Sequence, residues 1–252
     1  MAWVESVSAS FRARHEQSDA DDADRVLHGL EELRERLAQL FPRTPDELTV
    51  VMHATNASMA FANPLLPLTW LTTAPAARRY VAGWAGREEL HVLAPRALLP
   101  RASNVTGSRE MLERAPAALY ARRVIIENNH DLGRRMTPWR IARELRWAWL
   151  LEGGARWFAG QTEYARPAIA RRLHEGRRPS FPPGLRDAPL LGGTVIDLLA
   201  REQGIRATAQ FVCRINPQGA RPALSKAFDG RALVHTEGAW RSHLARMAGA
   251  QP

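Results

Sequence analysis

What most constrains this chain is a change of apolar periodicity near Ser108: strand-like runs and one helix precede it, and helical spacing prevails after it. Residues 6–16, SVSASFRARHE, alternate apolar and polar and predict a strand. The segment SDADDADRVLHGLEELRERLAQLF has acids at its front, where they favour a helix N-terminus. Val26, Leu30, Leu33, Leu37 and Leu40 then fall on one helical face, and Pro42 stops the helix. ELTVVMHA (47–54) and ELHVLAP (89–95) predict two short buried strands with an irregular Pro- and Trp-bearing region between them.

From Ser108, a possible N-cap, the spacing predicts a long helix divided at Pro116 and ending near Asn128, Asn129 and Gly133. TPWRIARELRWAWLLEGGARWFAGQ predicts one or two helices, started by Thr137-Pro138 and weakened at Gly153-Gly154. A loop over 177–189 and three further helical segments complete the chain, with a break at NPQG. The expected fold class is α+β. A sheet-containing subdomain with a covering helix (1–134) precedes a helical subdomain (135–252), with a ligand cleft between them.

A chain of 252 residues, 45% hydrophobic, can bury a substantial core. One cysteine, Cys213, excludes an internal disulfide and a cysteine zinc cage, so any metal must rest on His, Asp and Glu. Cys213 itself reads as a small buried residue. The opening residues do not predict a secretory signal, and no segment is long and apolar enough to span a bilayer, so a soluble cytoplasmic chain without a membrane partner is expected. The net charge of +9 raises the question of nucleic acid. Lys226 is the only lysine, and the arginines are spread through helices beside acids, as in LEELRERLAQL, which argues against a nucleic-acid partner and leaves a basic nucleic-acid-associated protein as a second alternative.

The stretch VIIENNHDLG contains Ile126-Glu127-Asn128-Asn129-His130, which fits the frame H-E-x-x-H except at its first position. In that frame ligands at i and i+4 share a helical face and the glutamate between them takes a proton from metal-bound water. Isoleucine cannot coordinate a metal. The plain alternative is a helix end, with Ile125 and Ile126 in the core and Asn-Asn-His-Asp fraying toward Gly133.

Further on, Trp149-Leu150-Leu151-Glu152-Gly153, with Ala155 and Phe158, resembles the W-L-x-E-G-x-A-x-x-F signature of gluzincin zinc metallopeptidases of the peptidase-MA-like kind. HVLAP resembles the strand that borders that family's cleft, LLGGTVIDLLAREQG a helix after its site, and GAWRSHLARM its closing Trp-containing helix. The resemblance implies a zincin-like fold. It implies Glu127 as general base, His130 and Glu152 as zinc ligands, Ile126 at a lost ligand position, and peptide hydrolysis if zinc binds. With Ile126 in place, it implies an impaired or silent peptidase whose cleft still binds a peptide or protein. An active peptidase with a remodelled ligand set is the alternative.

Other residues carry two readings each. Glu152 also suits a helix dipole or a pair with Arg156. His91 could face the cleft or be a satisfied core histidine. Tyr164 could stand in for the oxyanion-stabilising tyrosine of related peptidases. His174 and Glu163 are imaginable replacement ligands but read as solvated surface. Trp139, Trp147, Trp149 and Trp157 read as core.

Overall fold

The computed structural model describes residues 3–63, 66–133, 135, 137–176 and 178–249, without the side chains of Leu68 and Leu99. The boundary expected at residue 134 and the first residue of the expected 177–189 loop lie outside the described residues.

Where the alternation predicts one strand, β1 (Trp3–Val7) and β2 (Phe11–Glu16) form an antiparallel hairpin. The turn between them is held from outside the segment. Glu31 of helix α1 (Ala20–Ala38) accepts from Ser8 Oγ at 2.7 Å and from the Ser10 N–H at 2.6 Å. The leucine face of α1 is buried as its spacing requires, with Leu27, Leu30, Leu33 and Leu37 each nearly inaccessible.

Strand β3 (Leu48–His53) runs parallel to β2. The stretch predicted as irregular contains α2 (Asn56–Ala62), α3 (Leu66–Thr72), α4 (Pro75–Arg78) and a short strand β4 (Gly83–Ala85). Thr55 and Ser58 form a reciprocal capping box that starts α2. Strand β5 (Glu89–Leu93) lies parallel to β3 and antiparallel to β4, giving a five-stranded sheet of order β1-β2-β3-β5-β4. Phe11, Ala13, Val50, Met52, Leu90 and Val92 alternate onto one buried face.

After α5 (Pro95–Leu98), the long helix predicted from Ser108 is two, α6 (Ser108–Glu113) and α7 (Ala115–Glu127). They break at Arg114, which leaves Pro116 in the first turn of α7, where a missing N–H costs nothing. Helices α1 and α7 pack against the sheet. The rest is helical: α8 (Pro138–Arg146), α9 (Ala148–Phe158), α10 (Arg166–His174), α11 (Ala188–Val212, bent at Gly204), α12 (Ala220–Ala227) and α13 (Leu233–Gly249).

Gly153 and Gly154, expected to weaken a helix, lie inside α9. A Cβ on Gly153 would come within 2.3 Å of the Gly192 carbonyl carbon, so the glycines let α9 and α11 touch backbone to backbone. Arg172 and Asp187, both buried, tie α10 to the start of α11 through two hydrogen bonds of 2.5 and 2.8 Å. Trp240 of α13 is fully buried and donates to Thr194 Oγ1 at 2.8 Å. Trp147 and Trp149 are core residues as expected, whereas Trp139 on α8 is 85% exposed. The architecture is therefore α+β, a small sheet and its covering helices followed by a helical half. No helix among the described residues is long and apolar enough to cross a membrane.

Candidate functional site

A cavity of about 1250 Å³ opens between the β4 edge of the sheet and helices α7, α8 and α9. This exceeds the range of roughly 300–1,000 Å³ usual for small-molecule pockets, and is roomy enough for a chain segment.

Strand β4 supplies one wall. Gly83 pairs with Val92, Trp84 with His91 and Ala85 with Leu90. At the two ends of this ladder, the Leu93 N–H donates to Ala82 O at 3.1 Å and the Gly86 N–H to Glu89 O at 2.8 Å. Hydrogen-bonded pairs alternate in an antiparallel ladder, so Trp84 spends its backbone groups on β5 while Gly83 and Ala85 turn theirs outward. All three residues border the cavity, and among the described residues β4 has no second neighbour in the sheet. Gly83 has no room for a side chain: a Cβ there would meet His91 O at 2.3 Å and Leu119 of α7 at 2.7 Å.

The Trp84 ring stacks on His91 with centroids 4.1 Å apart and planes 7° from parallel. Behind it lies a buried histidine pair with a part-exposed glutamate at its end: Glu89 Oε2 lies 3.1 Å from His91 Nε2, and His91 Nδ1 lies 2.9 Å from His53 Nε2. Burial, with His91 adding to it, lowers the His53 pKa from its ordinary 6.5 to about 4. Burial lowers His91 as well, against the opposing pull of Glu89.

The helical wall carries arginine and glutamate. Arg122 of α7 donates from Nε to Glu152 Oε1 of α9 at 2.7 Å and from Nη2 to Glu144 Oε2 of α8 at 2.9 Å. Arg140 donates to the other Glu144 oxygen at 2.8 Å. Burial opposes the charge on Arg122, but Glu152 and Glu144 outweigh it and raise its pKa above the ordinary arginine value. This guanidinium fork joins three helices across the back of the cavity.

Ile126, Glu127, Asn129 and His130 of the H-E-x-x-H-like frame border the cavity, though not as that frame requires. Helix α7 ends at Glu127, so His130 lies beyond it, exposed, and the helical i to i+4 relation with Ile126 is lost. Asn128 and Asn129 do not fray; they are buried. The Asn128 amide donates to Arg43 O at 2.7 Å and to Val124 O at 2.9 Å, and its oxygen accepts from the Arg43 N–H at 3.1 Å. Glu127 pairs with Arg123 at 2.8 Å. Ile126 is half-buried at the cavity wall rather than in the core.

Glu152 is in the cavity but is bonded to Arg122, not to Arg156. His91 is a satisfied histidine within the sheet, behind Trp84, and does not itself border the cavity. Tyr164 lies elsewhere, under the Arg114 guanidinium at 5.0 Å, with its hydroxyl 3.4 Å from Arg114 Nη2. His174 and Glu163 are exposed and away from the cavity. HVLAP forms most of β5, one strand in from the edge that borders the cleft.

As arranged, these residues do not fit a catalytic zinc. Glu152 is committed to a guanidinium, and among the described residues no three His, Cys, Asp or Glu side chains converge as a metal requires. The sequence reading missed Arg122, Glu144 and the β4 edge. Arg122 stands one turn before Ile126 in the same helix, which is the signal that could have exposed it. Comparison with family models, with characterised proteins and with solved structures gives no match.

Proposed function

We propose that this protein is gluzincin-like in plan and catalytically silent, and that its cleft binds an extended peptide or protein segment against β4. One observation carries the reading: the outward N–H and C=O groups of Gly83 and Ala85 form a sheet edge with no partner among the described residues, along a cavity of peptide size. An added strand gains affinity from such main-chain groups and specificity from the side pockets beside them. The zincin-like element of the proposal draws support from the order of parts: an edge strand, a helix beside it and a following helix whose glutamate faces the first. Arg122 pairs with that glutamate, which supports the silent reading.

The test is a random peptide library passed over the immobilised protein in chelator, with affinities measured for the retained sequences. Ala85→Pro removes one outward N–H without breaking the ladder to β5, a place where edge strands tolerate proline. Retained peptides should bind without zinc, remain uncut when zinc is supplied, and lose about three- to tenfold in affinity to Ala85→Pro, the worth of about one hydrogen bond. Zinc-dependent cleavage, or binding indifferent to Ala85→Pro, would contradict the proposal.

A further inference from the structure

Arg156 lies on α9 one turn after Glu152, borders the cavity and is 9% exposed. Its charge has no carboxylate partner within 4 Å among the described residues. Its Nη1 donates to the neutral Gln161 Oε1 at 2.7 Å, and its Nε is buried with no acceptor. Gln161 is itself fully buried and bonded through its Nε2 to Met111 O, so it is fixed in that role. The acids on the same wall are already in use: Glu152 by Arg122, and Glu144 by Arg122 and Arg140. Desolvation lowers the Arg156 pKa, with Glu152 only partly opposing it. A buried guanidinium without a counter-ion is costly unless something supplies one, and its planar fork matches a carboxylate.

The geometry points to Arg156 as the anchor for a carboxylate carried by the segment that occupies the cleft, either an acidic side chain or a free C-terminus. This rests on the peptide-binding reading for the identity of the ligand; the affinity of Arg156 for a carboxylate can be tested without it.

Two arms separate the inferences. In the first, acetate and N-acetylglutamate are titrated at constant ionic strength, with chloride as control, while the Arg156 Nε–Hε resonance is followed by NMR and assigned with Arg156→Lys. A saturable shift with the carboxylates but not with chloride is expected. Gln161→Glu, which gives Arg156 an internal carboxylate and keeps the arginine, should abolish that shift. A carboxylate response no larger than that to chloride overturns the inference, whatever peptides do.

In the second arm, retained peptides are compared as matched Glu/Gln and acid/amide pairs. Loss of the one critical carboxylate should cost about tenfold in affinity to wild type and nothing to Gln161→Glu. The acid/amide pair tells a C-terminus from a side chain. Peptides that bind and are weakened by Ala85→Pro, yet show no carboxylate preference in either pair, overturn this inference and leave the cleft reading intact. A saturable acetate response with no peptide bound supports the anion site and counts against the cleft reading.

Discussion

Arg122 Nε lies 2.7 Å from Glu152 Oε1, so the carboxylate that a zinc site would need is committed to a guanidinium from the facing helix. Because the same guanidinium also holds Glu144, Arg122 is a structural joint between α7, α8 and α9. Arg122→Ala leaves Glu152 without its cation and Glu144 with Arg140 alone. It should lower stability by about 1–3 kcal/mol in a denaturant titration. Arg122→Lys should recover only a minority of the loss, since an ammonium cannot reproduce the fork. Full rescue by lysine would show that charge alone matters there.

The same relationship means that an engineered metal site on α7 would need a different register from the one the sequence suggests. Histidines at 122 and 126 would stand one turn apart on α7 beside a freed Glu152. Arg122→His/Ile126→His is expected to retain about one zinc per chain after desalting, by elemental analysis. Ile126→His alone leaves Arg122 on Glu152 and should retain much less. Equal zinc in the single variant would mean that His130 can reach the metal after all.

That register was hard to read because local spelling and tertiary structure disagree. Ile126 to His130 spells most of a motif, yet the helix stops at Glu127. There the Asn128 side chain turns to Val124 and to the backbone of Arg43, a partner that helical periodicity cannot reveal. The leucine face of α1 and the runs of β3 and β5 were legible, because burial acts on them through regular spacing. Strand β4 was not: three residues carry no period, and its place depends on Gly83 fitting against His91 and Leu119. The hairpin turn at Ser8–Ser10 likewise depends on Glu31, in another element.

The buried histidine pair predicts an acid sensitivity. His53 is neutral in the fold with its pKa lowered to about 4, whereas an unfolded histidine titrates near its ordinary 6.5. Between those values the unfolded chain binds a proton that the folded chain refuses. The contribution is therefore fully present above pH of about 6.5 and is lost as pH falls toward about 4, with a total near 3 kcal/mol. Denaturant midpoints for wild type and His53→Gln should diverge less at pH 5 than at pH 7. Parallel profiles would remove the assignment.

Arg172 and Asp187 form a buried pair with two parallel hydrogen bonds. Removing one partner leaves an uncompensated buried charge, so Arg172→Ala should cost about 3–5 kcal/mol. Differential scanning calorimetry would register this as a marked fall in melting temperature; a change within error would mean that the remaining carboxylate is solvated or protonated at little cost.

Amide hydrogen exchange at Gly83 and Ala85 tests the central claim most directly, measured in chelator with and without a library-selected peptide. Both N–H groups face away from β5, so they should exchange fast in the free protein, and at least one should slow clearly when peptide binds without metal. Peptide binding that leaves exchange at both positions unchanged, or that occurs only when zinc is restored, would contradict an arginine-held, metal-free cleft that takes its ligand as an added strand.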